Sequence, residues 1–525
     1  MLKSSSTLKC LKLSLLSNAT RSAATSAGAL KLDYLDSADW AKARAYEEIP
    51  GPTKYELFRG FMPGGQYHKK SFTDYILKAR EQYGDIFRIP GTFGKVDVVM
   101  LFDVNHIQHV FRTESAWPSR PGMDSLTYYR KNYRAELYDQ AEGLIASEGK
   151  AWSTFRTAVN PVLMQPRNAK SYVIPMQEVN SEFLQRIREI RDPHTNEMPD
   201  NFIDEINRLT FESVAVVALD KQLGLIRKNR DRADAKKLFT SLTIFLQSVY
   251  ELDFQPSLWK YIWTPSFARY KKALDIIFET IIGFVEESLE QMEKRNKNNS
   301  ETLDRELSVL EKLIKIDKAI AIVMATDMLM AGVDTTSSVM TGILLEVATN
   351  PEKQKKLREE VRKVLPHKDS TFTVESMKHL PYLRACIKEG LRMHPIGAGI
   401  PRKAGDDIAL AGYRIPKGTR ILLNANLLLR EENYFPKPNE YIPERWMRDG
   451  PLENVITPFS YLPFGFGPRM CVGRRIVDLE LEVTVARLVR NFYMEFNYPT
   501  ENAFKSHFLN TPAIPLKFKL TELED

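Results

Sequence analysis

Cys471 has the setting that most constrains chemistry. It sits in Phe464-Gly465-Phe466-Gly467-Pro468-Arg469-Met470-Cys471-Val472-Gly473, whose glycines and proline demand a tight, non-regular loop. Ile476, Leu479, Val483 and Ala486 follow at helical spacing, so a helix is expected just past the sulfur. A sulfur there faces free backbone N–H groups and the positive end of a helix dipole, both of which favour the thiolate. Arg469 adds positive charge that can pair with an anionic cofactor edge. A buried, inert cysteine is the bland alternative. A second constellation is Ala331-Gly332-Val333-Asp334-Thr335-Thr336. Gly332 lets another group approach the backbone, and a carboxylate beside a hydroxyl can open the helical ladder locally and hold water for proton delivery. Alone, this cluster is better explained as a kink or as packing than as a functional site.

Other candidates are weaker singly. Glu389 and Arg392 lie i, i+3 on a helix ending at His394-Pro395, but Glu56/Arg59, Glu205/Arg208 and Glu359/Arg362 share that spacing. Pro443-Glu444-Arg445-Trp446, Trp152-x-x-x-Arg156 and Ile400-Pro401-Arg402 each offer an arginine that an ordinary surface would also explain. His106 and His109 are spaced as metal ligands could be, yet their short amphipathic pattern reads as a solvated helix face.

Several elements must position these residues. Residues 86–102 read as a hairpin around Gly91–Gly94, and residues 140–393 are mostly helical, with polar breaks near Arg191–Asn201 and Arg295–Asp304. Asp317 to Thr349 is one long helical pattern stopped by Asn350-Pro351. It is apolar nearly all round, as a helix buried in a large core would be. Asp327, Asp334 and the Thr335–Ser338 cluster argue against a membrane span. Strand signals return after His394-Pro395, with a Pro416-Lys417-Gly418 turn between Tyr413–Ile415 and Ile421–Leu423. The expectation is a mainly α domain with a minor β portion.

The chain has 525 residues, 74 Lys+Arg against 67 Asp+Glu, and three cysteines, which exclude a disulfide scaffold and a CxxC-type zinc site. Residues 1–31 hold Lys3, Lys9, Lys12, Arg21 and Lys31 and no acidic residue. That composition reads as a mitochondrial transit peptide ahead of a single domain over residues 32–525. The remainder is nearly neutral, which gives no case for nucleic-acid binding. A GxGxxG reading of Gly465-Phe466-Gly467 fails because Met470 stands at the third glycine position. No P-loop is present, so electrons are expected from another protein.

The pattern F-x-x-G-x-R-x-C-x-G over Phe464–Gly473 resembles the haem-binding loop of the cytochrome P-450 superfamily, and Ala331–Thr336 resembles its oxygen-activation signature. The resemblance implies a fold with haem b, iron protoporphyrin IX, buried between the long central helix and the loop carrying Cys471 as axial ligand. It implies that Phe464 and Gly332 border the haem. Thr335 would donate a hydrogen bond to bound dioxygen while Asp334 relays protons. Glu389, Arg392 and Arg445 would form a buried brace for the haem loop. Trp152, Arg156, Arg402 and Arg120 would contact a haem propionate, for which a bidentate arginine is suited. The activity implied is a monooxygenase inserting one atom of O2 into a lipophilic small molecule.

The leader and Cys471-Val472-Gly473-Arg474-Arg475 look like the mitochondrial branch. That likeness implies electrons from a [2Fe-2S] ferredoxin, itself reduced by an NADPH-dependent ferredoxin reductase, with Arg384, Lys388, Arg474 and Arg475 forming the basic docking face. Asn160–Pro166 looks most like insect mitochondrial family 12, which implies xenobiotic, including insecticide, metabolism. Ecdysteroid hydroxylation and an electron-independent haem-thiolate isomerase or dehydratase are the alternatives within the fold. An all-helical membrane or carrier protein is the alternative outside it. Between Leu238 and Tyr270 apolar and aromatic residues accumulate; core packing is the default, and the resemblance implies peripheral contact with the matrix side of the inner mitochondrial membrane.

Overall fold

The computed structural model describes residues 37–525 apart from 69, 93–94, 140, 228–232, 256, 298–305, 449, 451–456 and 507–508. The leader expected at residues 1–31 lies outside the described residues. The described chain forms two compact units. In the smaller, residues 37–48 accompany a hairpin of β4 (Ile408–Leu410) and β5 (Tyr413–Ile415); the Arg44 guanidinium lies 4.0 Å from the centre of the Tyr413 ring. All the candidate site residues belong to the larger unit, residues 49–406 and 417–525.

The larger unit is mainly helical, as the periodicity predicts. Its central helix, Lys318–Thr349, starts where the Asp317 carboxylate accepts the N–H groups of Ala319 and Ile320 at 2.7 and 3.3 Å, and Pro351 opens the next helix. The helix is buried on most of its circumference. The uncovered positions in its middle are Met328, Ala331, Gly332, Asp334 and Thr335. Four of these, 328, 331, 332 and 335, fall at i, i+3, i+4 and i+7 and so form one stripe. On another side Gly332 faces the Phe202–Ala218 helix: a Cβ added there would meet Val214 at 3.1 Å.

The minor β portion centres on a four-stranded sheet of order β1-β2-β6-β3, made of Ile86–Ile89, Val98–Leu101, Arg420–Leu423 and Ile400–Lys403. The expected hairpin is present, with Ile86 opposite Leu101; β2 runs parallel to β6, and Ile400 pairs with Leu423. The strands flanking Pro416–Gly418 do not pair with each other. β5 pairs with β4 and β6 with β2 and β3, so that turn joins two sheets rather than closing a hairpin. Short pairs β7/β10 (Phe492–Glu495 and Lys519–Glu522) and β8/β9 (Phe504–Ser506 and Asn510–Pro512) complete the β content among the described residues.

Candidate active site

The cysteine loop folds as its residues require. Gly465 and Gly467 take φ of +74° and +73°, conformations open to glycine at little cost. The Cys471 N–H donates to the Phe464 carbonyl at 2.9 Å, and the Arg474–Asn491 helix begins at once, capped by Gly473. Cys471 is solvent-accessible, yet desolvation pushes its thiol up, the pattern of a side chain lining a deep recess. The Gly473 N–H and the charges of Arg156 and Arg120 pull the other way. Desolvation is the largest of these effects, so burial opposes the helix terminus that the sequence showed.

Four arginines gather beside this recess. Arg156, on the buried face of the Gly149–Leu163 helix with Trp152, donates to the Met470 carbonyl at 2.9 Å. Arg402 on β3 pairs with Glu114 and lies 5.1 Å from the Phe111 ring centre. Arg469 donates to the carbonyls of Pro118 at 2.8 Å and Ser147 at 2.6 Å and stacks 4.2 Å from the Trp152 ring. Arg120 has no hydrogen-bond or ion-pair partner among the described residues, and its charge couples to both Cys471 and Asp327 of the central helix. Burial lowers the pKa of all four, to about 10 for Arg156 and about 9 for Arg469, and Arg120 lowers these two further by like-charge repulsion. Glu114 is the carboxylate hydrogen-bonded into this group, and its Oε2 is unpartnered, as is Nε of Arg156. Such an excess of desolvated positive charge beside an accessible sulfur fits a flat, metal-bearing group edged with carboxylates.

On the central helix the expected local opening is absent. The helix runs unbroken, because the Thr335 hydroxyl returns to the Ala331 carbonyl at 2.7 Å, the i−4 bond a threonine makes within a helix. Its single proton is thereby committed, and its oxygen remains an acceptor. Desolvation raises the Asp334 carboxyl to about 6, which suits a group that exchanges protons near neutrality.

The brace is assembled as the motifs suggest. Glu389 Oε1 accepts from Arg392 at 2.9 Å, from Arg445 Nε at 2.9 Å and from the Ile442 N–H at 3.0 Å; Oε2 accepts from Arg392 Nε at 3.0 Å and from Trp446 Nε1 at 2.8 Å. The remaining guanidinium donors reach carbonyls of Leu429, Pro436, Lys437, Pro438 and Glu440. All three charged residues are buried. The four basic candidates form a separate cluster. Arg384 pairs with Glu482 at 3.0 Å and Arg474 with Asp478 at 3.6 Å, while Lys388 and Arg475 also act on Asp478. Lys388 is exposed and lies 5.9 Å from the Trp446 ring centre. Phe464 is half-buried beneath the Arg474 guanidinium, 5.4 Å from its ring centre. His106 and His109 are half-buried on the Val104–Thr113 helix, apart from these groups.

Sequence reasoning missed Glu114 and the buried pair Arg130–Asp327. Asp327 carried a signal, a carboxylate in an apolar helix, while Glu114 carried none. It also missed the bond from Trp446 to Glu389, although the tryptophan stood inside a quoted motif.

The chain matches the family profile for cytochrome P450 over residues 50–520. It is 51% identical over 501 residues to cytochrome P450 CYP12A2 of Musca domestica, covering 93% of each chain. It is 45% identical to probable cytochrome P450 12d1 distal, mitochondrial, of Drosophila melanogaster, over 95% of this chain and 96% of that one. To cytochrome P450 12b1, mitochondrial, of Drosophila acanthoptera it is 36% identical over 92% of each. A family match spanning nearly the whole chain, on a helical fold that sets a cysteine recess among buried arginines, makes this chain a member of the cytochrome P450 family, and hence a monooxygenase.

Proposed function

We propose that Cys471 is the thiolate ligand of haem b and that Arg120, Arg156 and Arg402 hold its propionates. On this reading the enzyme hydroxylates lipophilic foreign compounds in mitochondria with electrons from a [2Fe-2S] ferredoxin. The observation that carries the site assignment is the recess itself, where an accessible sulfur lies among four desolvated arginines, of which Arg402 is paired with the carboxylate of Glu114. Bound haem supplies the chemistry of dioxygen cleavage, the thiolate donating electron density toward iron. The balance is one substrate C–H bond, O2, two electrons and two protons going to one alcohol and one water.

The chain's own groups have distinct tasks. Asp334, ionising near pH 6, takes protons from water and passes them into the cleft. Thr335 holds water beside it by accepting a hydrogen bond, its own proton being donated to the Ala331 carbonyl. The Met328–Ala331–Gly332–Thr335 stripe presents a mostly apolar surface to substrate. Glu389, Arg392 and Arg445 fix the approach to the cysteine loop.

Lys388, Arg475, Arg384 and Arg474 supply a basic face for an acidic ferredoxin. The 238–270 region divides. Phe245, Trp259, Phe267 and Tyr270 are core, whereas Phe254, Leu258, Tyr261, Ile262 and Trp263 are exposed, with Tyr261 at 67%. This exposed apolar stretch suits peripheral attachment to the matrix face of the inner membrane.

The deciding experiment is the reduced, CO-treated absorption spectrum. Wild type is expected to give the strongly red-shifted Soret band of thiolate ligation. Cys471→Ser should lose it while keeping its helical circular dichroism. A serine variant with an unchanged band removes the ligand assignment. Substrate-induced spectral shifts across an insecticide, terpenoid and ecdysteroid panel test the substrate class; binding confined to ecdysteroids rejects the xenobiotic role.

A further inference from the structure

We propose that Glu114 is a positioning residue for the haem: its carboxylate holds Arg402 against the cysteine loop, and its negative charge sets the reduction potential of the bound iron. This deepens the haem reading of the Cys471 recess and rests on it. Glu114 caps the C-terminus of the Val104–Thr113 helix and opens the short stretch that leads to Arg120. Its side chain is 8% exposed. Oε1 accepts from Nε of Arg402, and Oε2 is buried without a partner. Oε2 is the oxygen turned toward the cysteine loop, where a Cβ added at Gly467 would meet it at 3.9 Å.

The pairing decides how Arg402 is presented. With Nε taken by Glu114, Nη1 donates to the Pro401 carbonyl at 2.9 Å and Nη2 reaches the Phe466 carbonyl at 3.5 Å. One carboxylate oxygen therefore fixes the plane of a guanidinium whose far edge lies on the cysteine loop. Packing locks the same end of the helix there. The Phe111 ring centre lies 5.6 Å from that of Phe466, 6.2 Å from that of Phe459 and 5.1 Å from the Arg402 guanidinium.

Charge gives Glu114 its second task. Desolvation raises its proton affinity, and the charges of Arg402 and Arg469 oppose that rise. A buried carboxylate with a bare oxygen is costly, and an apolar pair could often replace a buried ion pair without loss of stability, so stability does not by itself account for this one. The arginines do. The propionates of a haem leave part of the positive charge of Arg120, Arg156, Arg402 and Arg469 unmatched, and Glu114 offsets one further unit of it. A negative charge in a dry site favours the oxidised, more positive iron, and low dielectric lets it act beyond contact distance. Glu114 therefore holds the potential down.

The test uses the full-length holoenzyme with Glu114→Gln, which keeps the shape and removes the charge, and Glu114→Asp, which keeps the charge and shortens the reach to Arg402. The reduced CO spectrum gives haem occupancy, spectroelectrochemical titration without substrate gives the potential, and transfer to apomyoglobin gives the rate of haem release. Glu114→Gln should keep the CO band and move the ferrous-to-ferric ratio at a fixed potential about tenfold toward ferrous, a rise of about 59 mV for a one-electron couple. Glu114→Asp should keep the wild-type potential and release haem several-fold faster. A glutamine variant with the wild-type potential overturns the proposal, as does an aspartate variant with a raised potential or an unchanged release rate. If the glutamine variant holds no haem, the aspartate variant decides by the same two readings. If neither holds haem, Glu114 only supports the fold and the proposal is overturned. A wild type without the CO band removes the haem reading itself, whereas a wild type with the band beside an unshifted glutamine variant removes only the role of Glu114.

Discussion

At the scale of single residues, burial acts on two groups, raising the proton affinity of the Cys471 sulfur and lifting the Asp334 carboxyl to about 6. Both shifts are consequences of desolvation. Thr335→Ala should keep the CO band, because the hydroxyl is bonded to its own helix and not to the cysteine loop. Product formed per NADPH should nevertheless fall several-fold as reducing equivalents go to peroxide, which a peroxide assay beside product chromatography measures. Unchanged coupling would remove Thr335 from proton delivery. Cys471 stood out as letters, since its loop has a spacing that only a few chemistries explain, whereas Asp334 and Thr335 took their meaning from standing beside that loop. What was not legible is direction: nothing in the text of Ala331–Thr336 shows the threonine proton turned back onto residue 331. Nor could burial around Cys471 be weighed against its helix terminus before the recess was known.

At the scale of elements, the Pro381–Met393 helix and the Pro443–Trp446 turn are joined by one carboxylate that accepts five hydrogen bonds. Glu389→Gln leaves two buried guanidinium groups short of a countercharge. It should destabilise the fold by about 3–5 kcal/mol and lower haem retention, read as a drop in Tm and in the CO band. The helix that follows the cysteine carries a different strain. Burial raises Glu480 to about 8, and the hydroxyls of Thr210 and Ser213 lie close enough to pull it back without reaching hydrogen-bond geometry. The unfolded chain ionises this group near its ordinary value of 4.5. Between that pH and about 8 the unfolded state has lost a proton that the native state keeps, so stability declines as pH rises. Glu480→Gln should flatten this decline, seen as a smaller Tm difference between pH 6 and pH 9; an equal difference in both proteins assigns the slope elsewhere. Helices were legible from their periods and stops, notably Asp317 through Asn350. The separation of β5 from β6 was not, because β5 is taken by β4 just before it and β6 by β2, which lies far back along the chain.

At the scale of the whole molecule, a basic cluster and an exposed apolar stretch are built from different segments of the chain. The basic cluster around Asp478 and Glu482 should make ferredoxin-driven turnover sensitive to ionic strength. Lys388→Glu should raise the ferredoxin KM about tenfold or more with little change in kcat or in the substrate-induced spectral shift; an unaltered KM moves the docking face elsewhere. The family was readable because its motifs run from Trp152 to Gly473, whereas the apolar run at 238–270 hid its division into core and surface until Trp259 and Trp263 were seen to part. The central helix has a last consequence. Most of its girth is welded into neighbouring elements, down to the methyl of Val214 pressed against Gly332. Few letters on this beam are therefore free to vary: Met328 and Ala331 can be respelled, while the rest are spoken for by their neighbours or by the site itself.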